Sequence, residues 1–357
     1  MSLSQLEILY DFNPKNLNLI NRKFQISEKK LIICAPKQSG ITSVIFMYLN
    51  NYKKGTFLYI DFSDLRIDII NIRDNIESFI RKHKIILLIF ENFNFSFQIP
   101  KCERIIITTN TYIHIDGYSS KQFFPLDFEE YIAFDRKQTG IEQIFNSYAN
   151  FGTYPQVALS NNTNKTMLIQ SILSCILKNK KELEIFKNIV PYQGRRISLY
   201  EIFKKIKIKL SKDSFYNIVK YFENTRLLLF VEKYNQPKAF KKLYLIDFTI
   251  KDAMSYQKDF IKKFENIIFL ELYKKKENIY YTDEIDFYLP KENLAILCLP
   301  FIPANLLKNK IIKRKRYFKK LSIKKVEIIS LGNEIEFKDD KINYQLIPFW
   351  NWANSLN

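Results

Sequence analysis

Glycine, histidine and cysteine are all scarce in this chain of 357 residues, which has 7 glycines, 2 histidines and 4 cysteines. The cysteines are far apart and none follows C-x-x-C spacing, and the histidines have no ligand partners at metal-site spacing. We therefore expect neither a disulfide framework nor a zinc centre, and we expect the thiols to be buried.

Long apolar runs are missing as well. No segment approaches about 18 uninterrupted apolar residues, and the N-terminus does not combine a basic start with a long apolar stretch. Hydrophobic residues still make up 47% of the chain and aromatic residues 15%, which is enough to fill the cores of two or three domains. We expect a soluble, globular, cytoplasmic protein that does not bind membranes.

The net charge of +19 is distributed unevenly. Residues 1–160 contain 18 Lys and Arg against 16 Asp and Glu, which leaves 38 against 21 in residues 161–357, so +17 of the excess lies in the C-terminal half. The abundance of Lys, Ile, Asn, Phe and Tyr is typical of an AT-rich coding bias, which weakens any conclusion from the total. The asymmetry still favours a polyanionic partner such as DNA for the C-terminal half.

Short apolar runs alternate with polar-faced helical patterns between residues 30 and 115. The runs "KLIICAP", "TFLYIDFSD", "KIILLIFENF" and "RIIITTNTY" are apolar on both faces, as in parallel strands covered by helices. This pattern predicts a doubly wound α/β domain. Ligands bind at the carboxyl ends of strands in such sheets, where "DFSD", "ENFN" and "TTNT" fall.

The segment "APKQSGITS", residues 35–43, has the frame of a phosphate-binding loop, G-x-x-x-x-G-K-[ST]. Gly40 and Thr42 stand at the second glycine and at the Mg²⁺-binding hydroxyl, but Ala35 replaces the first glycine and Ile41 replaces the lysine. The lost lysine removes a charge-assisted contact worth about 1.5–3 kcal/mol, for which Lys37 is a candidate substitute. The candidate nucleotide-binding residues are Ala35, Pro36, Lys37, Gln38, Ser39, Gly40, Ile41, Thr42 and Ser43.

Two further strand ends carry candidate residues. "LLIFENFN" occupies the place of a Walker B strand, in which Glu91 can bind the metal but Asn92 cannot act as the catalytic base. Asn110 in "IITTNTY" stands where a sensor of the γ-phosphate would lie. The alternatives are an acid at the exposed end of a strand for Glu91 and ordinary turn chemistry for Thr-Asn-Thr.

The C-terminal half begins with a linker-like "NNTNK", which precedes one long predicted helix, "TMLIQSILSCILKNKKELEIFKNIV". A helix from about Ser198 then reaches a turn near Leu210 and Ser211, and a second helix leads into the strand "LLLFVEK". This order is typical of a winged helix-turn-helix, with the wing at "KYNQPKAFKKLYLID".

Several of these segments together resemble one family, the prokaryotic AAA-type ATP-binding proteins of the archaeal-type ATPase group. Members carry a winged helix and a restriction-endonuclease-like C-terminal domain. The loop is similar to the family's GPRQSGKTT apart from Ala35 and Ile41, and "LIFENFN" looks like its hydrophobic-D-E-F-Q strand. More specific are "FFPLDFEEYIAF", similar to P-L-[SD]-F-x-E-[FY], "YANFGTYPQVA", similar to Y-x-x-x-G-G-[FY]-P, and "FENIIFLELYKK", similar to E-N-x-[VI]-x-x-E-L.

The resemblance covers nearly the whole chain and implies its organisation. It implies a P-loop NTPase (AAA-like) domain at residues 1–160, a helical and winged helix-turn-helix domain at 161–250 and a small restriction-endonuclease-like α/β domain at 251–357. If ATP and Mg²⁺ bind, backbone amides of the loop would hold phosphate, Thr42 and Glu91 would hold Mg²⁺, and Asn110 would sense the γ-phosphate.

A metal-dependent nuclease of this kind needs an Asp on one strand and E-x-K on the next. "EIDFYL" supplies Asp286, but the next strand has Cys298-Leu299-Pro300 where E-x-K would stand. We expect no DNA cleavage and interpret Asp286 as a structural remnant.

Two groups of residues are candidates for DNA binding. The predicted recognition helix carries Lys212, Asn217 and Lys220, although winged helices also serve as packing or dimerisation modules. The densest basic run, residues 308–320, either grips a nucleic-acid backbone or is a solvated loop; its central residues are Lys313, Arg314, Lys315 and Arg316.

The sequence thus favours an AAA-type ATP-binding protein with degenerate Walker A and B motifs and weak or no ATP hydrolysis, acting as a DNA-associated regulator. The alternative is a non-enzymatic scaffold or DNA-binding protein with a vestigial nucleotide site. The sequence predicts no particular protein partner.

Overall fold

The computed structural model describes residues 5–14, 21–134, 139–160 and 164–356. The chain divides into two compact units, Met1–Pro125 and Leu126–Asn357, which we call the N-terminal and C-terminal units and describe separately.

The N-terminal unit is a layered α/β structure. Its described strands form a five-stranded sheet in the order β2-β3-β4-β1-β5, and every strand pair in this sheet is parallel. The prediction of a parallel α/β sheet is therefore confirmed. Its elements are α1 (Gln5–Tyr10), β1 (Lys30–Cys34), α2 (Ile41–Leu49), β2 (Phe57–Asp61), α3 (Ile69–His83), β3 (Leu87–Glu91), β4 (Arg104–Thr109) and β5 (Ser119–Gln122).

Alternate residues of each strand fill two separate cores, because side chains on a strand alternate between the faces of a sheet. In β1, Leu31 and Ile33 pack with α2, whereas Ile32 packs with the core that contains α1 and α3. The same alternation in β3 sends Leu87 and Ile89 towards the α2 side. Glu91 shares their face, so the strand pattern itself places its carboxyl on the side of α2.

The C-terminal unit is built around a mixed sheet. Its described strands are ordered β13-β14-β12-β11-β10-β9-β7-β8-β6. The elements are α4 (Phe128–Ala133), α5 (Ile141–Phe151), α6 (Pro155–Ala158), α7 (Lys165–Ile176), α8 (Lys180–Ile189), β6 (Arg196–Ile197), α9 (Leu199–Lys205), α10 (Lys212–Asn224), β7 (Leu228–Lys233), β8 (Lys241–Leu245), α11 (Ile250–Met254), α12 (Phe260–Lys275), β9 (Tyr280–Tyr281), β10 (Phe287–Leu289), β11 (Leu294–Cys298), α13 (Ala304–Lys320), β12 (Lys325–Ser330), β13 (Ile335–Asp339), β14 (Ile342–Pro348) and α14 (Phe349–Ser355).

The single long helix predicted after the linker is wrong, since two helices, α7 and α8, occupy this stretch. Asn179 has extended backbone and its side chain accepts a hydrogen bond from the N–H of Glu182, so it caps a new helix. The carboxylate of Glu182 in turn accepts the N–H of Lys178 at 2.8 Å. These local bonds favour a break that the apolar periodicity alone does not reveal.

Residues 126–160 belong to the C-terminal unit, although the sequence analysis grouped them with the first domain. Two buried carboxylates show why. Glu271 of α12 accepts the N–H of Phe128 and the hydroxyl of Tyr148, each at 3.0 Å. Asp247, after β8, accepts the N–H of Thr153 at 2.5 Å and its hydroxyl at 2.9 Å. The assignment of residues 1–160, 161–250 and 251–357 to a P-loop domain, a winged-helix domain and an endonuclease-like domain stays a prediction.

The structure also bears on the expected burial of the cysteines and on membrane-spanning helices. Cys34 and Cys298 are buried and Cys102 is half-buried, but Cys175 is exposed, so the expectation of buried thiols is wrong for that residue. Within the described ranges, no helix has both the length and the hydrophobicity that a membrane span requires.

Candidate functional site

The candidate site of the N-terminal unit lies where β1, β3 and β4 end. β4 separates β1 from β3 in the sheet, so the loop after β1 and the acid at the end of β3 come from strands that are not neighbours. The N–H of Ala35 donates to the carbonyl of Thr109 at 2.8 Å, which ties the start of the loop to the end of β4.

Thr42 and Glu91 meet at this edge. The Thr42 hydroxyl donates to Oε1 of Glu91 at 2.5 Å, and the hydroxyl of Tyr59 donates to Oε2 at 2.7 Å. Glu91 is only 3% exposed, and this burial raises the pKa of its carboxyl, although the two hydroxyl donors act in the opposite direction. A hydroxyl and a carboxylate side by side are ligands of the kind that Mg²⁺ prefers.

The loop between β1 and α2 has two residues with left-handed backbone before a helix start that no side chain caps. Gln38 and Gly40 have positive φ values of 63° and 91°, and Gly40 precedes α2 without any side-chain cap on the helix. The first N–H groups of α2 therefore lack an intrahelical acceptor, and turns of this kind form anion-binding concavities. The Ser39 hydroxyl is fully buried and has no hydrogen-bond partner among the described residues.

Position 41 supplies no charge to this loop. Ile41 is the first residue of α2, is 9% exposed and belongs to the core cluster that also contains Ala35 and Val44. The side chain that replaces the P-loop lysine is thus a packing residue. Lys37 is exposed, and no structural feature assigns it the substitute role.

Arg22 is a cation that the sequence analysis missed. Its guanidinium donates to the carbonyl of Ser39 at 2.9 Å and to the carbonyl of Phe124 at 2.8 Å, and it lies over the ring of Phe123 at 4.6 Å. These contacts hold the loop and bring a positive charge to its backbone. No sequence signal points to Arg22, because it precedes β1 and reaches the loop only through the fold.

Asn92 follows Glu91, the candidate metal ligand, but its side chain bonds to a different carboxylate. Its side chain donates to Oδ1 of Asp61 at 2.8 Å, and its backbone N–H donates to the Thr108 hydroxyl at 3.0 Å. Its φ of 56° is left-handed, a conformation that Asn tolerates better than most residues. Asn92 therefore stabilises the turn after β3 and offers no general base.

The described geometry suits a nucleotide phosphate and a divalent ion in part. The uncapped start of α2, the unpartnered Ser39 hydroxyl and the Thr42–Glu91 pair fit those groups, whereas Ile41 and Asn92 do not supply a cation or a base. Asn110 follows β4 at the same edge and is partly exposed. No group of three or more His, Cys, Asp or Glu residues suited to a metal is found among the described residues, at this edge or elsewhere.

Asp286 lies in a separate ionic cluster of the C-terminal unit. Its Oδ2 accepts the N–H of Cys298 at 2.9 Å, and its Oδ1 is 3.6 Å from the ammonium of Lys242. Lys242 also contacts Oε1 of Glu265 at 2.7 Å, while Lys262 contacts Oε2 at 2.6 Å.

Burial alone would raise the pKa of Glu265, but the two lysines together lower it. For Asp286, burial followed by the nearby Glu265 raises the pKa of its carboxyl. Asp286 is thus joined to an internal ion-pair network that already contains its counter-charge, Lys242.

The candidate DNA-binding residues fall on two helices. Lys212, Asn217 and Lys220 are exposed on α10, whose buried face carries Phe215, Val219 and Phe222. The order of elements around α10 is α8, β6, α9, α10, β7 and β8, with β8 paired antiparallel to both β6 and β7.

The basic run at residues 308–320 lies within α13, which contradicts the solvated-loop alternative. Leu307, Ile311 and Phe318 are buried at helical spacing, and this apolar stripe explains the helix. Among the run's cations, Arg314 pairs with Glu284 at 3.4 Å, and Lys315 pairs with Asp339 at 2.7 Å.

Lys313 and Arg316 differ from these two residues. Both are exposed, and neither has a carboxylate partner in the part of the chain that the structure describes. α13 therefore carries two kinds of cation, one engaged inside the protein and one available to a partner.

No protein-family model matches the chain. A protein of Methanocaldococcus jannaschii described as uncharacterised is 25% identical, in an alignment that covers 98% of this chain and 93% of that protein. A Walker-type ATPase of Pyrococcus abyssi is 12% identical, with a TM-score of 0.45 over 68% of this chain and 99% of its own. At that identity and TM-score, the likeness supports no conclusion about activity.

Proposed function

We propose that the N-terminal unit is an AAA-type P-loop module that binds ATP but hydrolyses it slowly or not at all. The observation that carries the proposal is the meeting of Thr42 and Glu91 beside the uncapped N-terminus of α2. In this proposal the loop amides and Ser39 hold phosphate, and Thr42 and Glu91 hold Mg²⁺. Bound Mg²⁺ would neutralise phosphate charge.

The side chains at positions 41 and 92 support slow or absent hydrolysis, because neither is a catalytic group. Ile41 lies in the core, and Asn92 donates to Asp61 instead of facing the site as a base. The guanidinium of Arg22 donates to the carbonyl of Ser39, so it positions the loop backbone and brings a positive charge close to it. Binding without turnover suits a regulator that responds to nucleotide occupancy.

Thermal-shift measurements with Mg²⁺-ATP test this function. Binding to the folded state alone stabilises a protein by about 2.7 kcal/mol at a hundredfold excess of ligand over Kd. We expect stabilisation at millimolar ATP in the native chain and a smaller shift in Thr42→Ala. Thr111→Ala, a threonine just beyond the end of β4, is a matched control that should behave like the native chain. No shift at millimolar ATP would support the vestigial-site alternative.

For the C-terminal unit we propose a winged helix and an inactive endonuclease-like domain that associate with DNA. The element order around α10 supports the winged helix, with residues 234–240 as the wing between β7 and β8. The ionic network around Lys242 supports inactivity, because the carboxylates of Glu265 and Asp286 already have an internal cation. The unpaired Lys313 and Arg316 support a contact with phosphates.

A further inference from the structure

The C-terminal unit contains a cavity of about 710 Å³ that is unrelated to the proposed nucleotide loop. It lies between the C-terminal end of α8, the short 3₁₀ turn Val190–Tyr192, α9 and the connection from α11 to α12. Its volume falls within the range of about 300–1,000 Å³ that is usual for small-molecule sites.

The charge of this cavity is of one sign. Lys187, Arg195 and Lys205 line it, and none of the lining residues described is an Asp or Glu. Arg195 is held by Asp259 at 2.7 Å, which fixes its guanidinium at the wall. Lys187 and Lys205 have no carboxylate partner within the described ranges of the chain. Uncompensated cations around one cavity favour an anionic ligand.

Lys251 is a further cation near this cavity that has no direct carboxylate partner among the described residues. It is only 3% exposed, and no carboxylate of the described residues lies within ion-pair distance of its ammonium. It lies one helical turn before the lining residues Met254 and Ser255. Burial lowers the pKa of Lys251 and the nearby Arg195 acts in the same direction, whereas Asp259 and Asp252 oppose that shift. Because the net shift is downward, an anion bound nearby favours the charged form of Lys251.

Aromatic and amide groups give the cavity a second recognition element. Tyr192 and Tyr256 line it, and the side chain of Tyr256 is fully exposed, so its ring is accessible to a ligand. Gln257 adds a side-chain amide that can both donate and accept. Tyrosine rings stack on nucleobases, and such stacking tolerates any base.

We propose that this cavity binds a nucleoside phosphate, with Lys187, Arg195 and Lys205 on the phosphate and Tyr256 against the base. The ligand is either a free nucleotide or the phosphorylated end of a nucleic-acid strand, since the two share this chemistry. The site is independent of the P-loop proposal, because none of its residues belongs to the N-terminal unit.

Calorimetric titration of the full-length chain at low salt tests the proposal with AMP, adenosine and inorganic phosphate as probes. We expect AMP to bind more tightly than phosphate or adenosine. Lys187→Gln/Lys205→Gln should weaken AMP binding at least tenfold, whereas Lys180→Gln/Lys181→Gln, which removes the same charge from exposed positions at the start of α8, should leave it unchanged. Tyr256→Ala should weaken AMP but not phosphate.

A control variant and one further probe complete the test. Thr42→Ala should leave AMP binding intact, which separates this site from the P-loop. An oligonucleotide with a 5′-phosphate that binds more tightly than AMP would assign a strand end as the ligand, and the reverse order would assign a free nucleotide. Equal AMP affinity in the native chain and in Lys187→Gln/Lys205→Gln, or no AMP binding at all, would overturn the proposal.

Discussion

The hydroxyl of Thr42 donates to the carboxylate of Glu91. Thr42 lies in the first turn of α2, after β1, and Glu91 ends β3, while β4 lies between β1 and β3 in the sheet. The hydroxyl of Tyr59, on the neighbouring β2, donates to the other carboxylate oxygen of Glu91. The Thr42–Glu91 contact lies at the edge of the sheet where we propose that a nucleotide binds.

Restoring the missing lysine should strengthen nucleotide binding. Ile41→Lys adds a cation at the start of α2, and a charge-assisted contact of about 1.5–3 kcal/mol predicts an increase in ATP affinity of about tenfold or more. Hydrolysis should stay slow, because Asn92 still offers no base. Calorimetric titration measures the affinity.

Ile41→Met is the control for this substitution, since it changes packing without adding charge. An Ile41→Lys variant that remains folded but binds ATP no better than Ile41→Met would show that the loop does not present position 41 to phosphate.

Glu91 should make the stability of the N-terminal unit depend on pH. Because the folded-state pKa of Glu91 is raised, the folded state holds its proton more tightly than the unfolded chain does. The stabilisation from this proton is complete below the ordinary glutamate pKa and is lost as pH rises through the raised folded value. Glu91→Gln should flatten this slope.

Urea unfolding across pH, followed by hydrogen exchange of β3, measures that effect. Glu77→Gln, on the exposed face of α3, is the control and should keep the native slope. Identical pH slopes for the native chain and Glu91→Gln would mean that Glu91 does not have a raised pKa in the folded state.

Gly152 should tolerate no side chain. Its φ is +82°, and a Cβ built there would lie 2.6 Å from Oδ1 of Asp247 and 2.7 Å from the Thr249 hydroxyl. Asp247 accepts the N–H of Thr153 and Tyr154 and cannot move away without losing them. We expect Gly152→Ala to lower the free energy of unfolding by about 2 kcal/mol or more.

Gly332 provides the comparison, because a Cβ there meets nothing within 4 Å. Gly332→Ala should change the free energy of unfolding by less than about 0.5 kcal/mol. Denaturant unfolding of both variants measures the difference, and equal midpoints would contradict the tight fit around Asp247.

The two kinds of cation on α13 should have different effects on DNA binding. Lys313→Gln/Arg316→Gln removes unpaired charges, so it should weaken binding to mixed duplexes and reduce the slope of log affinity against log salt by about 2. Arg314→Gln/Lys315→Gln removes cations that pair with Glu284 and Asp339, so it should have the smaller effect on the slope. Salt titrations by fluorescence anisotropy distinguish them, and equal slopes in all three proteins would exclude α13 as the contact.

Strands β1 to β4 of the N-terminal unit could be predicted because they are short apolar runs whose loops carry polar residues. β5 was not predicted, because Ser119–Gln122 is a polar, partly exposed stretch. The pattern of β1 to β4 also predicted that Thr42, at the start of a helix, and Glu91, at the end of a strand, lie at one edge of the sheet. Tyr59 and Arg22 could not be predicted, since each reaches the site through contacts between residues distant in sequence. The remaining site roles, including that of Asn110, stay predictions.

In the C-terminal unit, helix capping and burial explain two features that hydrophobic periodicity did not predict. The hydrogen bond from the N–H of Glu182 to Asn179 begins α8 inside the stretch predicted as one helix. Burial of Leu307, Ile311 and Phe318 explains why the basic run is helical and is not the solvated loop that was one alternative. The segments around Phe128 and Thr153 resemble family motifs, and the structure shows them bound to the buried carboxylates of Glu271 and Asp247.

The most direct test measures binding and turnover of ATP in one sample. A calorimetric titration with Mg²⁺-ATP should give saturable binding by the native chain, and chromatography of the recovered nucleotide after an hour should return it as ATP. Recovery as ADP over many turnovers would contradict the loss of catalysis, and a titration without binding heat or thermal stabilisation would contradict the nucleotide site itself.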